Sequence, residues 1–484
     1  MQVDDLGFVE PALEADVCIV GSGPAGLTIA RELAGSGLDV LVLESGGRTR
    51  SAAADALNEI ESIGAPRVLE QWHVRNRMLG GSSHTWAGRC APFQPIDFET
   101  REWVAHSGWP IERAELVPYL DRAGAHLGLA LGAGLCDGAL WAAVGRPRPQ
   151  PTDARRLRSF YWQISQDRAV PADFMRFGNH VADAAAPNVR VLVNATLTRL
   201  HRRGDRIDRL DVRSPDGHER TVRADRVVLC CGGIENARVL LASGIGNDLV
   251  GRYLMDHRVC VLGSFGAGGV DTTERYGYFD VDDHRILHGL ALAPDVQREE
   301  KLLNCAVWTH TTEFDRYLPA AVTRLRRGGW AHELRAGLST RRGQVVDLLG
   351  IVEQQPDPDS RVLLSERTDA LGVPLSRLDW RVHELEDRTM ARTIELVREE
   401  FSRLGITQPR WQPLGGLVDV AHATGTTRMS ADPDSGVVDV DCRVHGTDNL
   451  YVVGSSVFPT ASHANPTHMI VAMAVRAADL LRCG

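Results

Sequence analysis

Residues 16–44 constrain this chain more than any other stretch. A short apolar run at 16–20 leads into Gly21-Ser22-Gly23-Pro24-Ala25-Gly26, a helical pattern covers 27–34, Gly35-Ser36-Gly37 breaks it, and a second apolar run spans 38–43 before Glu44. The order is strand, glycine turn, helix, strand, closed by an acid. Gly21 permits the tight turn, Gly23 lets the backbone approach a pyrophosphate, and Gly26 lets the helix pack on its strand, so the Gly21–Gly26 backbone, with Pro24 and Ala25, is the expected phosphate-facing surface. Glu44, followed by Ser45, falls where a carboxylate accepts hydrogen bonds from an adenosine ribose, and its charge disfavours a 2′-phosphate. The pattern predicts an α/β, Rossmann-like domain that binds a dinucleotide.

The C-terminal part reads as the chemical end of such a chain. His422-Ala423-Thr424-Gly425 is followed by a buried strand at 450–453, then Gly454-Ser455, then Ser462-His463-Ala464-Asn465-Pro466-Thr467 and a helical apolar run over 468–481. Alcohol oxidation needs a base that is neutral near pH 7 and a neutral donor for the developing alkoxide. His422 and Asn465 are the candidate pair, with Asn465 at a helix start where free N–H groups favour negative charge. His463 and His468 flank Asn465 as either substrate contacts or structural histidines.

Two further glycine segments fit the same picture. The loop 75–88, with Gly80, Gly81, Ser82, Thr85, Trp86, Ala87 and Gly88, is either a plain turn or a cradle whose small residues bring backbone N–H groups to a cofactor; His84 within it is ambiguous. The apolar run 227–231 ends in Gly232-Gly233 and enters a helical stretch at 236–242, the form of a returning dinucleotide-domain strand. Asp256-His257 follows as a mark of the exit from that domain.

With 484 residues the chain is expected to form two or three domains, and its net charge of −9, with no basic stripe, argues against a nucleic-acid partner. That acidity suits a cationic substrate. No apolar run reaches the ~18 residues that span a membrane, and the acidic first residues lack a secretory pattern, which places the expectation in the cytoplasm. The nine cysteines show no metal-ligand spacing and read as buried thiols. Residues 101–187 lean helical with a loop at 147–152, 189–200 and 206–212 alternate as strands, and 221–222 continues them. From 259 to 412 strand-like pieces dominate, broken by an arginine-rich helical stretch at 319–342 and an amphipathic helix at 385–404. Glu353 and Gln354, ending one strand, are either substrate contacts or a solvated strand end.

Taken jointly, Gly21 to Gly26 with Glu44, the 75–88 loop, residues 232–243, 250–257 and 422–478 make the chain resemble the glucose-methanol-choline (GMC) oxidoreductases. The resemblance implies a discontinuous FAD-binding domain (1–100, 188–258 and 415–484), a helical covering segment (101–187) and a sheet-based α+β substrate domain (259–414). It also implies hydride transfer from an alcohol carbon to flavin N5, His422 as the base, Asn465 as the second member of the pair, and Leu197 beside the adenine. Where some members attach FAD covalently to a histidine, this chain has Thr85, so FAD is expected to be non-covalent. An aspartate common after the strand 450–453 is replaced by Gly454, and this, with Gly232-Gly233-Ile234-Glu235-Asn236 and Ala464-Asn465-Pro466-Thr467, makes the chain look more like the sugar- and polyol-oxidising branches. The expected substrate is a sugar, polyol, or amino sugar or aminocyclitol, with oxygen or another acceptor. A small non-sugar alcohol or a sterol, a flavin-binding subunit without chemistry, and an NAD enzyme remain the rival readings.

Overall fold

The computed structural model describes residues 1–67, 74–130, 153–171, 173–182, 185–265, 272, 275–281, 283–312 and 345–483. Among them are two large sheets. The first has eight strands in the order Gln2–Asp5, Val189–Val193, Val40–Leu43, Ala12–Val20, Glu219–Leu229, Arg206–Arg213, Thr196–Arg203, with Leu450–Val452 beside the end of Glu219–Leu229. From Gln2–Asp5 to Glu219–Leu229 every pairing is parallel, and Leu450–Val452 continues that sense. Parallel strands are covered on both faces, and Val17, Cys18, Ile19, Val40, Val42, Val227 and Val228 are accordingly buried without alternation.

The expected strand 189–200 is two strands, because Asn194 turns the chain with φ 55° and anchors its amide on Asp5 Oδ2 at 2.6 Å. Conversely, 221–222 and 227–229 are one long strand. The helix Pro24–Glu32 follows the first glycine turn, and Thr467–Cys483 packs between it and Arg113–Leu127.

The second sheet is antiparallel, with nine strands among the described residues. Its order is Arg410–Trp411, Arg258–Phe265, Val345–Val352, Cys305–Thr312, His284–Leu292, Leu157–Ile164, Arg89–Cys90, with Val418–Asp419 also paired to Arg258–Phe265 and Tyr278–Val281 to His284–Leu292. One face, with Leu290, Val307 and Leu348, packs under the helix Glu384–Arg403, which matches the expected 385–404 within a residue. The other face, with Phe160, Trp162, Trp308 and Ile351, joins the core of the first sheet.

The expectation that 101–187 is a helical cover is corrected here. Besides the helix Arg113–Leu127, it supplies the strand Leu157–Ile164 to the second sheet, between His284–Leu292 and the edge strand Arg89–Cys90. The consecutive aromatics Phe160, Tyr161 and Trp162 fit a pleated surface better than a helix. The expected loop at 147–152 and the arginine-rich stretch at 319–342 lie outside the described residues.

Candidate active site

The parallel strands of the first sheet end together, and their C-terminal ends carry Gly21, Glu44, Gly232 and Gly454. Ligands of open α/β sheets bind at that edge. Gly21 turns at φ 101°, and a Cβ there would lie 2.7 Å from Cys230 O; a Cβ on Gly26 would lie 1.9 Å from Gly21 O. Those two glycines are demanded by packing. Gly23, Gly232 and Gly454 are different, since a Cβ on any of them would meet nothing within 4 Å. Their backbones front open space at the sheet edge.

The chemistry of this neighbourhood fits an adenosine diphosphate. The helix Pro24–Glu32 has no side-chain cap, which leaves its first N–H groups to a phosphate. Glu44 Oε2 accepts from Ser22 N (3.1 Å) and Ser22 Oγ (2.6 Å) and Oε1 from Gly46 N (2.9 Å), so both oxygens are oriented and Oε1 keeps a lone pair. Burial raises its pKa against those hydrogen bonds. Ser45 is held between Thr196 Oγ1 at 2.7 Å and Arg77 Nη1 at 2.9 Å. Leu197 is buried beside it in the strand Thr196–Arg203.

The 75–88 loop is fastened to the first turn: Gly80 N donates to Ser22 Oγ at 3.1 Å, and a Cβ on Gly81 would lie 2.9 Å from Gly23 Cα. Thr85 Oγ1 accepts from Asn76 Nδ2 at 2.6 Å, Ser82 Oγ accepts from Asn76 N at 3.3 Å, and Trp86 Nε1 donates to Met175 O at 3.1 Å. His84 spends Nε2 on Leu79 O at 2.9 Å, a structural contact. Ala87 and Gly88, the latter at φ 67°, complete the loop before the strand Arg89–Cys90. The glycine contacts, the uncapped helix and the oriented Glu44 all fit a bound FAD.

His422 stands at the meeting of the two sheets. Its N donates to Asp256 Oδ1 at 2.8 Å, Thr424 exchanges backbone bonds with Met255, and Thr427 N donates to Ser456 O at 2.8 Å. Ser455 Oγ donates to Ala423 O at 2.8 Å. Asp256 is in turn paired with Arg67 at 2.5 Å. These bonds fix the segment although Ala421, just before His422, is in the left-handed region at φ 61°, a conformation that costs a residue with a Cβ about 1 kcal/mol or more.

The tautomer of His422 follows from its neighbours. His257 Nε2 lies 3.1 Å from Ala461 O and 2.9 Å from Ser462 O, and carbonyls only accept, so this nitrogen carries hydrogen. Burial lowers the His257 pKa, so the ring is neutral and Nδ1 is an acceptor. His422 Nδ1, 2.8 Å away, therefore donates. The lone pair of His422 is on Nε2, which faces Asn465 Nδ2 at 3.4 Å. Burial, and after it His257, push the His422 pKa down to about 3. Asn465 and Pro466 lie just ahead of the helix Thr467–Cys483.

The other candidates are distributed differently. Glu353 and Gln354 are fully buried. Glu353 holds Arg101 through both oxygens at 2.6 and 2.8 Å, and Gln354 Oε1 accepts from Asp256 N at 2.7 Å and Trp380 Nε1 at 2.9 Å. The reading of them as substrate contacts or a solvated strand end is corrected: they brace the shell behind His422. His468 Nε2 donates to Leu120 O at 3.1 Å and is structural. His463 is buried with both ring nitrogens unpartnered. His257 was visible in sequence only as a domain-exit mark; an Asp-His dipeptide says nothing of a partner 165 residues away. Among the described residues no cluster could hold a metal ion, and no helix is long and apolar enough to cross a membrane.

Comparison with known proteins adds an independent view. Residues 16–262 match the family described as FAD dependent oxidoreductase, and residues 356–474 match the family described as GMC oxidoreductase. The chain is 28% identical to paromamine 6'-oxidase from Streptomyces fradiae, covering 96% of this chain and 90% of the relative. It is 29% identical to 6'''-hydroxyparomomycin C oxidase from Streptomyces lividus, covering 95% and 90%. Pyridoxine 4-oxidase from Mesorbium loti shares the fold at a TM-score of 0.59 and 19% identity, over 96% of this chain and 98% of that one.

Proposed function

From the premise that this chain belongs to the FAD-dependent oxidoreductases, within the GMC type, we propose that it oxidises one hydroxyl of a sugar-like substrate to a carbonyl. The observation that carries the reading is the free Nε2 lone pair of His422, 3.4 Å from the Asn465 amide. That spacing is at the long edge of a hydrogen bond, so a substrate hydroxyl placed to one side within reach of both atoms meets an acceptor and a donor at once. His422 Nε2 takes the hydroxyl proton, and Asn465 Nδ2 steadies the oxygen as negative charge grows on it. His257 and Asp256 hold the ring and the backbone of His422 in that pose.

FAD, when bound, supplies the two-electron acceptor for the hydride leaving the carbinol carbon. The Gly21–Gly26 turn with Pro24 and Ala25 would hold its pyrophosphate, Glu44 and Ser45 its ribose, and Leu197 its adenine. Gly80, Gly81, Ser82, Thr85, Trp86, Ala87 and Gly88 would line the ring side, with Gly232, Gly454, Ser455, Asn465, Pro466 and Thr467 opposite. The attachment is non-covalent in this reading, because Thr85 is no nucleophile for a flavin and His84 is engaged by Leu79 O. The corresponding unit comprises residues 1–100, 188–258 and 415–484, with 259–414 forming most of the substrate domain. Oxygen or another acceptor completes the cycle in the cytoplasm. Sugar-like substrates are favoured because paromamine 6'-oxidase and 6'''-hydroxyparomomycin C oxidase align over nearly the whole chain.

An anaerobic absorbance titration of the purified flavoprotein with sugars, pseudosaccharides and simple alcohols tests this reading. Bleaching by a sugar-like compound is expected; bleaching only by simple alcohols, or by none, would reject it.

A further inference from the structure

His422 has an uncommon partner for a base. An imidazole that takes a substrate proton becomes a cation, and such a ring is ordinarily steadied by a carboxylate on its other nitrogen. The group on His422 Nδ1 is instead the neutral ring of His257 at 2.8 Å, with the two ring planes crossed at 83°. Selecting the tautomer of His422 requires only an acceptor, and an amide oxygen would serve. An imidazole adds what an amide lacks, a lone pair basic enough to keep the proton.

The surroundings of the two rings differ in what they offer a positive charge. Burial lowers the pKa of both, that of His422 to about 3. At His257 the Asp256 carboxylate, the carbonyls of Ala461 and Ser462 and the Glu353 carboxylate all oppose that lowering. At His422 only Asp256 opposes it, while His257 and the Arg89 guanidinium add to it. Of the other ionisable groups nearby, Arg67 is held on Asp256, Arg101 is held on Glu353, and His463 is kept neutral by burial. A cation formed on this pair is therefore better placed on His257. That ring is fully buried while His422 is half-buried, so a proton reaches it through His422.

We propose, on the reading of His422 as the base, that His257 is where the substrate proton comes to rest. As hydride leaves the carbinol carbon for the flavin, the substrate O–H bond breaks and its proton bonds to His422 Nε2. The His422 Nδ1–H bond breaks in turn, and His257 Nδ1 takes that hydrogen. His422 is left neutral with hydrogen on Nε2. His257 carries the single positive charge, its Nε2–H still on the carbonyls of Ala461 and Ser462 at 3.1 and 2.9 Å. The hydrogen bond between the rings survives with its direction reversed, so neither ring has to move. The hydride carries negative charge into the site, and a cation kept there leaves the net charge of the site unchanged.

The test follows anaerobic reduction of the FAD-loaded enzyme by an oxidisable sugar in weak buffer at about pH 8, where exposed histidines are neutral. An indicator dye reports protons released to solvent. Wild type is expected to release almost none. His257→Gln keeps an acceptor for His422 Nδ1–H but has no basic site, and is expected to release about one proton per flavin reduced. Its reduction rate should stay about 3- to 10-fold below wild type, with the loss in kcat and not in KM. A full proton released by wild type would overturn the proposal, and that outcome needs no variant. Retention by both wild type and His257→Gln would overturn it too, because the proton would then rest on another group; in either case the sugar-oxidising reading stands. If no sugar reduces the wild-type flavin, that reading fails, and the proposal with it.

Discussion

His257 and His422 face each other through their Nδ1 atoms at 2.8 Å, and in that pair only one nitrogen carries a hydrogen. Because His257 Nε2 is committed to the carbonyls of Ala461 and Ser462, the hydrogen between the rings belongs to His422. The backbone carbonyls that hold His257 thereby decide which nitrogen of His422 is a base. His257 is a positioning residue: it acts on the substrate only through His422.

Replacing His257 with alanine should lower the rate of anaerobic flavin reduction by about 10- to 100-fold, because the wrong tautomer of His422 becomes accessible. FAD occupancy should be unchanged. Replacement by glutamine, whose side-chain oxygen can accept from His422 Nδ1–H, should recover part of the loss. Equal rates in wild type and the alanine variant would show that the tautomer is set elsewhere.

The pH dependence should be unlike that of a solvated histidine. With its pKa pushed down to about 3 by burial, His422 is neutral throughout the range around pH 6.5, so kcat/KM should show no acid limb from this group there. A titration midpoint near 6.5, moved by His422 substitution, would contradict the assigned environment.

Stability should carry the same signature with a defined sign. The pKa of buried His468 is lowered from 6.5 to about 4, so the unfolded chain binds more protons below 6.5. Stability is full above that pH and falls as the pH drops toward 4, by on the order of 3 kcal/mol from His468 alone. Denaturant midpoints at pH 7 and pH 4.5 check this, and His468→Gln should flatten the difference.

The charge pair behind the site makes a separate prediction. Arg101 and Glu353 are both fully buried and joined at 2.6 and 2.8 Å, with Asn304 N a further donor to Glu353. Removing one partner strands the other charge, which costs about 3–5 kcal/mol. Glu353→Gln should therefore lower the thermal midpoint markedly, and the Arg101→Met, Glu353→Gln double variant should lose less than the sum of the two single changes. Additive losses would mean that the two side chains are energetically independent.

Much of this site was legible because its signals are local. The 16–44 stretch contains both strands, the glycine turn and the acid, and packing demands glycine at Gly21 and Gly26 as the spacing implied. The helix 385–404 was legible from periodicity, since Met390, Val397 and Phe401 are buried on one face. What was not legible is set by contacts distant in sequence. Arg101 and Glu353 are 252 residues apart, so Glu353 read as an available carboxylate. The strand Leu157–Ile164 read as part of a helical cover because its partner, His284–Leu292, lies far along the chain.

The most direct measurement is single-turnover reduction of bound flavin in His422→Ala, with an oxidisable sugar under anaerobic conditions. Loss of the free Nε2 lone pair should slow reduction by about 10²- to 10⁴-fold while the flavin spectrum and FAD content stay those of the wild type. Reduction at the wild-type rate by an FAD-loaded variant would contradict the account, because the base would then be another group.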